Sequence, residues 1–171
     1  YVIYNPEQQP LKNPYAFGNA WFVDKLDMVD NADAEIEALN TIDPLRTAVV
    51  DKRFQEDLEG FVPQKDSTAT IVLEEYRPNR LTYKSKADKE QLAVFSEVYY
   101  QPGWKATVDG KEVPHFRADW ILRGMRVPAG EHTIVFEFRP SGYVTAAYVS
   151  SYSSFLILLL LIAAIGWSGW K

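Results

Sequence analysis

The chain has 171 residues, with 23 acidic and 18 basic side chains, a formal net charge of −5 and no cysteine. This acidity argues against a nucleic-acid or anionic-lipid partner, because both are normally bound by basic patches. The lack of cysteine leaves no disulfide framework, so we expect a packed core to stabilise the fold.

Residues 1–66 predict an irregular leading segment that contains a short helix and short strands. Three of the first 20 residues are proline, which prevents a lasting helix there. Strands are expected at Ala20–Val23 and Arg46–Asp51. A helix is expected between these two strands, and Asn31 or Asp33 can cap its start. This helix lies within Asp30–Asn40, and its partly apolar face consists of Ala34, Ile36 and Leu39.

From residue 67 to residue 142 the sequence predicts β-strands separated by turns. Asp109-Gly110 lies between two alternating runs and is the strongest short hairpin signal in the chain. The spacing of strands and turns indicates an all-β fold, an antiparallel β-sandwich of jelly-roll or Ig-like type with a small α/β N-terminal region. The expected strands are Ala69–Tyr76, Leu81–Ser85, Gln91–Tyr100, Trp104–Val108, Lys111–Phe116, Ile121–Val127 and Thr133–Phe138.

Residues 143–171 predict one C-terminal transmembrane helix. The apolar centre, Phe155–Ile165, is only 11 residues long, which a helix buried in the domain could also have. Aromatic residues on both sides extend the segment to about 34 Å of helix at roughly 1.5 Å per residue, enough to cross a bilayer. The expected interface residues are Tyr148, Tyr152, Trp167, Trp170 and Lys171.

The charges flanking this helix give an orientation. Lys171 is the only charge after the apolar segment, whereas the part before it is acidic. We therefore expect the β domain to lie outside the cytoplasm, according to the positive-inside rule. Because the chain starts at Tyr1 and carries its anchor at the C-terminus, we also expect it to be a piece of a longer membrane protein.

Residues 93–139 carry a pattern that is specific in order and spacing. A strand ending in two tyrosines is followed by Pro102-Gly103-Trp104-Lys105, an Asp109-Gly110-Lys111 hairpin, a strand with Leu122-Arg123-Gly124, and the turn at residues 127–132. This pattern resembles the C-terminal extracytoplasmic domain of the YfhO family of bacterial multipass membrane proteins. Earlier stretches and the closing helix are similar to its Bacteroidetes-like members.

The resemblance implies a parent protein of the bacterial inner membrane with many transmembrane helices. Such a protein is similar to membrane glycosyltransferases that use lipid-linked sugars, and its Gram-positive relatives are linked to glycosylation of cell-envelope polymers. Their catalytic aspartate is expected in an early extracytoplasmic loop that this chain does not contain. The resemblance therefore carries no catalytic residue over to this sequence.

Few residues of the chain are suited to catalysis or metal binding. His115 and His132 have Glu112 and Glu131 nearby, yet neither spacing matches a recognisable metal-ligand set. The pair Glu74-Glu75 lies in a predicted strand, where neighbours point to opposite faces. We therefore predict no catalytic residue, no metal site and no cofactor.

Aromatic residues near cationic side chains are better candidates for a binding site. A flat ring can stack on a sugar ring while charged groups bond its hydroxyls. The alternative is that the tryptophans belong to the core. Strand alternation places Tyr99 at the surface and Tyr100 in the core. The candidate glycan-binding residues are Tyr99, Trp104, Arg117, Trp120 and Arg123.

These patterns predict a non-catalytic extracytoplasmic accessory domain of a multipass membrane protein, which binds or positions a glycan or lipid-linked sugar. One alternative is a structural lid or protein-interaction domain without a ligand, and another is an independent hydrolase. An exposed Trp104 or Trp120 beside Arg117 or Arg123 would favour glycan binding. Buried rings and an apolar patch elsewhere would favour the lid.

Overall fold

The computed structural model describes residues 6–9, 11, 13 and 16–168. Its helices are α1 (Ala32–Ala38), a 3₁₀ helix (Lys52–Leu58) and α2 (Ser141–Ser168). In chain order the strands are β1 (Ala20–Val23), β2 (Lys25–Val29), β3 (Thr47–Asp51), β4 (Thr70–Arg77), β5 (Arg80–Ala87), β6 (Gln91–Val98), β7 (Trp104–Val108), β8 (Lys111–Val113), β9 (Phe116–Ala118), β10 (Leu122–Val127) and β11 (Gly130–Phe138).

Two antiparallel sheets form a sandwich. One sheet has the strand order β1-β6-β10-β9, and the other has the order β4-β5-β11-β7-β8. The short strands β2 and β3 pair in parallel beside them. The predicted all-β sandwich with a small α/β N-terminal region is confirmed.

The core between the two sheets is centred on three aromatic rings. Phe95 of β6 lies 4.9 Å from Tyr83 of β5 and 4.9 Å from Phe136 of β11, measured between ring centroids. All three side chains are fully buried. Edge-to-face packing of this kind joins the sheets at their centre.

A second core covers the other face of the four-stranded sheet. Leu92 and Val94 point into it from β6, opposite the side on which Ala93 and Phe95 enter the sandwich. The 3₁₀ helix and the β2–β3 pair cover this face and contribute Val50 and other apolar residues. Burial on both faces explains why the centre of β6, Leu92–Phe95, is a continuous apolar run. The predicted division of the chain at residues 66 and 142 stays a prediction.

The return from the Asp109-Gly110 hairpin differs from the expected single strand Lys111–Phe116. Both turn residues have positive φ, 49° and 82°, as a type I′ hairpin requires. Strand β8 then ends before Pro114, and β9 joins the other sheet. Proline has no backbone N–H for a ladder hydrogen bond, so the strand breaks at this point and the chain crosses the sandwich.

Two further elements differ from the sequence expectations. Strand β2 was not expected, although Lys25 and Asp27 alternate with Leu26 and Met28 along it. Helix α1 is capped by Asn31, as predicted, but it turns Glu35 inward, and Glu35 is fully buried. Ile36 of the expected apolar face is 39% exposed. The partners of Glu35, described below, explain this inversion.

Candidate functional site

An open groove of about 430 Å³ lies where the 3₁₀ helix meets the start of β7. The β6–β7 loop and the segment after β8 form its other walls. Two of the five candidate glycan-binding residues, Tyr99 and Trp104, line it. Polar side chains surround these rings, namely those of Arg53, Asp57, Gln101, Lys105 and Glu112.

Trp104 is half-buried and is held from behind by a cation. The Arg123 guanidinium carbon lies 4.1 Å from the Trp104 ring centroid, and Phe138 packs against the same ring at 5.3 Å. Arg123 is 2% exposed and donates from Nε to the Val98 carbonyl at 3.0 Å. Burial lowers the pKa of Arg123. Arg123 therefore fixes the ring and does not itself line the groove.

Tyr99 forms the opposite aromatic wall, and the expected exposures of Tyr99 and Tyr100 are reversed. Tyr99 is half-buried between Phe54 and His115, each at 5.7 Å between ring centroids, whereas Tyr100 is 53% exposed. Strand β6 ends at Val98, and its register with β10 shifts there. The alternation that the sequence predicts through residue 100 is therefore broken before it reaches the two tyrosines.

Two titratable groups of the groove, His115 and Asp57, have altered pKa values. Burial, together with the charge of Arg123, lowers the pKa of His115 to about 4, so this imidazole is neutral at pH 7. Burial and the neighbouring Glu56 raise the pKa of Asp57. Lys105 and Glu112 form an exposed pair at 2.9 Å. In the described part of the chain, no group of three or more His, Asp or Glu side chains could hold a metal ion.

Other clefts lack this combination of rings and polar groups. A cleft of about 280 Å³ lies beside the Asp24–Arg46 pair, and another of about 480 Å³ lies beside His132. Neither has a tryptophan or tyrosine among its described lining residues. The groove at Trp104 is therefore the best candidate for a binding site.

The other candidates, Arg117 and Trp120, lie at a separate place, next to a buried carboxylate cluster. We use this name for Glu35, Asp51 and Asp119. Arg117 donates from Nη2 to Glu35 at 2.6 Å and lies 3.5 Å from Asp51. The guanidinium is thus already paired inside the protein. Its predicted contact with a glycan stays a prediction.

Backbone hydrogen bonds complete this cluster. The second oxygen of Glu35 accepts from the Trp120 N–H at 2.9 Å. Asp119 accepts from the Val49 N–H at 2.8 Å and donates its own N–H to the Val49 carbonyl at 2.8 Å. The cluster therefore joins the N-terminal region to the β9–β10 loop. The roles of Glu35 and Asp51 were not predicted, because nothing in the sequence pairs them with Arg117, which lies about 80 and about 65 positions further along the chain.

We expect the substitution Asp119→Asn to change how stability depends on pH. Burial, with a smaller effect of the Glu35 charge, raises the pKa of Asp119 to about 6, against 3.8 as the ordinary value. Between these two pH values the folded state binds more protons than the unfolded state. The contribution of Asp119 to the free energy of unfolding therefore falls as pH rises. The free energy of unfolding of Asp119→Asn, relative to that of the unchanged chain, should rise by about 2 to 3 kcal/mol between pH 4 and pH 7.

Urea unfolding in detergent micelles at both pH values measures this difference. A matched control is Asp66→Asn: hydrogen bonds from Thr68 lower the pKa of Asp66 to about 2, so this carboxyl is ionised in the folded state throughout this pH range, and the stability of the variant relative to the parent chain should change little between pH 4 and pH 7. An unchanged difference between Asp119→Asn and the parent chain at the two pH values would contradict the assignment.

Helix α2 is long and apolar enough to cross a membrane. The candidate span, Thr145–Trp167, has a mean hydropathy of 2.1 and none of it is buried against the domain. Tyr148, Tyr152 and Trp167 flank its centre and are 62%, 73% and 71% exposed. The remaining predicted interface residues, Trp170 and Lys171, lie outside the described residues.

Comparison with known proteins supplies the family. The model of the family described as "Bacterial membrane protein YfhO" matches residues 55–150, which is more than half of the chain. No curated protein and no solved structure gives a significant match. The matched region runs from the 3₁₀ helix into α2 and includes every residue that lines the groove except Arg53 and Phe54. The chain belongs to the YfhO family of bacterial membrane proteins and is associated with the membrane through its C-terminal apolar helix.

Proposed function

We propose that this chain is a non-catalytic extracytoplasmic accessory domain of a multipass membrane protein that resembles envelope glycosyltransferases. In this role the domain binds or positions a glycan or a lipid-linked sugar. The remainder of the parent protein supplies the catalytic groups and is the domain's principal protein partner.

The observation that carries this proposal is the position of Trp104 in the groove. Its ring has the Arg123 guanidinium 4.1 Å from its centroid, and it shares the groove with Tyr99. An aromatic ring in a fixed position can stack on the apolar face of a sugar at little cost in side-chain entropy. Asp57, Gln101 and Glu112 supply acceptors and donors for the sugar hydroxyls.

The proposed location is the bacterial inner membrane, with the β domain on the periplasmic or extracytoplasmic side. Lys171, the basic residue that follows the apolar helix, supports this orientation, because Lys and Arg next to a span favour the cytoplasmic side. On that side of the membrane the groove would meet sugars that have already been transferred across the bilayer on a lipid carrier.

Calorimetric titration of the full chain in nanodiscs tests the binding role. The ligands are neutral and N-acetylated oligosaccharides of the kinds found in bacterial envelopes. We expect saturable binding of at least one of them, and Trp104→Leu should weaken it about tenfold, since it removes the flat ring and keeps apolar bulk. Gln101→Ala, at an exposed position in the loop, should weaken it as well.

The control is Tyr76→Leu, which removes a 63% exposed ring from β4, outside the groove. Thermal unfolding of each variant shows whether the fold is kept. If Trp104→Leu and Gln101→Ala bind as tightly as the unchanged chain, the groove is not the glycan site. If no oligosaccharide binds, the structural lid is the better account.

A further inference from the structure

Helix α2 leaves the sandwich at the end where β11 stops and β7 starts. Phe138 pairs with Trp104, and the Arg139 N–H donates to the Gly103 carbonyl at 2.7 Å. Only Arg139 and Pro140 separate β11 from α2. The candidate span starts at Thr145, about 6 Å further at roughly 1.5 Å per helical residue. The short connection to α2 therefore keeps this end of the sandwich close to the lipid headgroup layer.

The same end carries an exposed apolar surface, which we call the sheet-end patch. It consists of Val98, Tyr100, Trp120 and Ile121, which are 62%, 53%, 41% and 44% exposed. The Tyr99 N–H donates to the Ile121 carbonyl at 2.7 Å, and Val98 pairs with Leu122, so these residues are neighbours in space. The five-residue loop 99–103 connects the patch to the exit of α2.

Trp120 reaches the surface through a strained backbone. Its φ is 71° and that of Asp119 is 50°, both in the left-handed region. Such a conformation is rare for a bulky residue and costs of order 1 to 3 kcal/mol, so it persists only where the surroundings enforce it. The buried carboxylate cluster does so. Glu35 accepts from the Trp120 N–H, the Asp119 side chain accepts from the Val49 N–H, and the Asp119 N–H donates to the Val49 carbonyl. A buried charge network thus holds an exposed indole at the membrane-proximal end.

We propose that the sheet-end patch rests in the lipid headgroup layer and fixes the domain against the bilayer beside its anchor. Tyrosine and tryptophan are the residues that favour this layer, because one side of the ring is apolar and the other forms hydrogen bonds. The contact continues the membrane attachment made by α2. It goes beyond the proposed glycan binding and does not depend on it.

Lipid is the occupant that the observations favour. The short connection to α2 brings the patch to the bilayer without any other protein, and it gives a high effective concentration of lipid around the patch. The patch itself contains no charge, and the chain as a whole is acidic. The recognised surface is therefore the neutral, zwitterionic headgroup layer and its upper acyl region.

Single-cysteine labelling tests this proposal, because the natural chain has no cysteine. The full chain is placed in phosphatidylcholine nanodiscs that contain a small fraction of lipid with a nitroxide on the headgroup. A fluorophore is attached to Val98→Cys in one sample and to Val62→Cys in the other. Val62 is a matched control: it is a valine, it is 72% exposed, and it lies beside Lys89 and Glu90, near the opposite end of β6.

We expect the nitroxide lipid to quench the label at residue 98 at least about threefold more than the label at residue 62, because the patch lies within the headgroup layer. In the Val98→Cys background, Trp120→Asn with Ile121→Ser should remove most of this difference. Asparagine tolerates the left-handed backbone, so that variant tests the side chain without adding strain. Equal quenching at residues 98 and 62 would overturn the proposal, and so would a difference that survives the double substitution.

Discussion

Removing Arg117 should destabilise the protein by about 3 to 5 kcal/mol, because it leaves the fully buried Glu35 as an uncompensated charge. We expect this loss for Arg117→Met, which keeps the apolar length of the side chain. Among the described residues, the Trp120 N–H would then be the one remaining hydrogen-bond donor to the Glu35 carboxylate. Thermal and urea unfolding in detergent micelles measure the loss.

Two further variants separate this explanation from a simple packing defect. Glu35→Gln combined with Arg117→Met removes both charges and keeps an acceptor for the Trp120 N–H, so it should recover part of the stability. Lys86→Ala breaks an ion pair with Glu131 in which both side chains are largely exposed, and it should cost less than about 1 kcal/mol. If Arg117→Met lost as little stability as Lys86→Ala, Arg117 would not be the partner that compensates the buried charge of Glu35.

The second large effect is expected at the centre of the sandwich. Phe95→Ala should cost about 3 to 5 kcal/mol, because it removes a fully buried ring and leaves a cavity between Tyr83 and Phe136. Tyr76→Ala is the control, since its ring is 63% exposed and its loss should cost less than about 0.5 kcal/mol. Similar unfolding midpoints for the two variants would show that the sheets are not joined through Phe95.

The sequence predicts the sandwich well where local chemistry decides the structure. Alternation along β11 brings Ile134 and Phe136 into the core, and the Asp109-Gly110 turn has the backbone that its residues favour. The family resemblance at residues 93–139 also falls inside the matched region. These features depend on neighbours in the chain, which the sequence displays directly.

The sequence fails where distant residues decide the outcome. Glu35 faces inward only because Arg117 and the Trp120 N–H meet it there, and no local pattern shows this. The positions of Tyr99 and Tyr100 reverse because strand β6 ends at a register shift with β10. Of the five predicted binding residues, Tyr99 and Trp104 line the groove, and Arg123 packs behind the Trp104 ring.

The central claim is that a glycan binds on the Trp104 ring, and indole NMR tests it most directly. The chain has five tryptophans, so a full-length sample with ¹⁵N-labelled tryptophan gives a spectrum of five indole signals. Titration in nanodiscs with the oligosaccharide panel should shift the Trp104 signal in a saturable way and leave Trp21, whose indole N–H is bonded to the Pro44 carbonyl, unchanged. A Trp104 signal that stays in place at every concentration, or a shift confined to other tryptophans, would contradict the account.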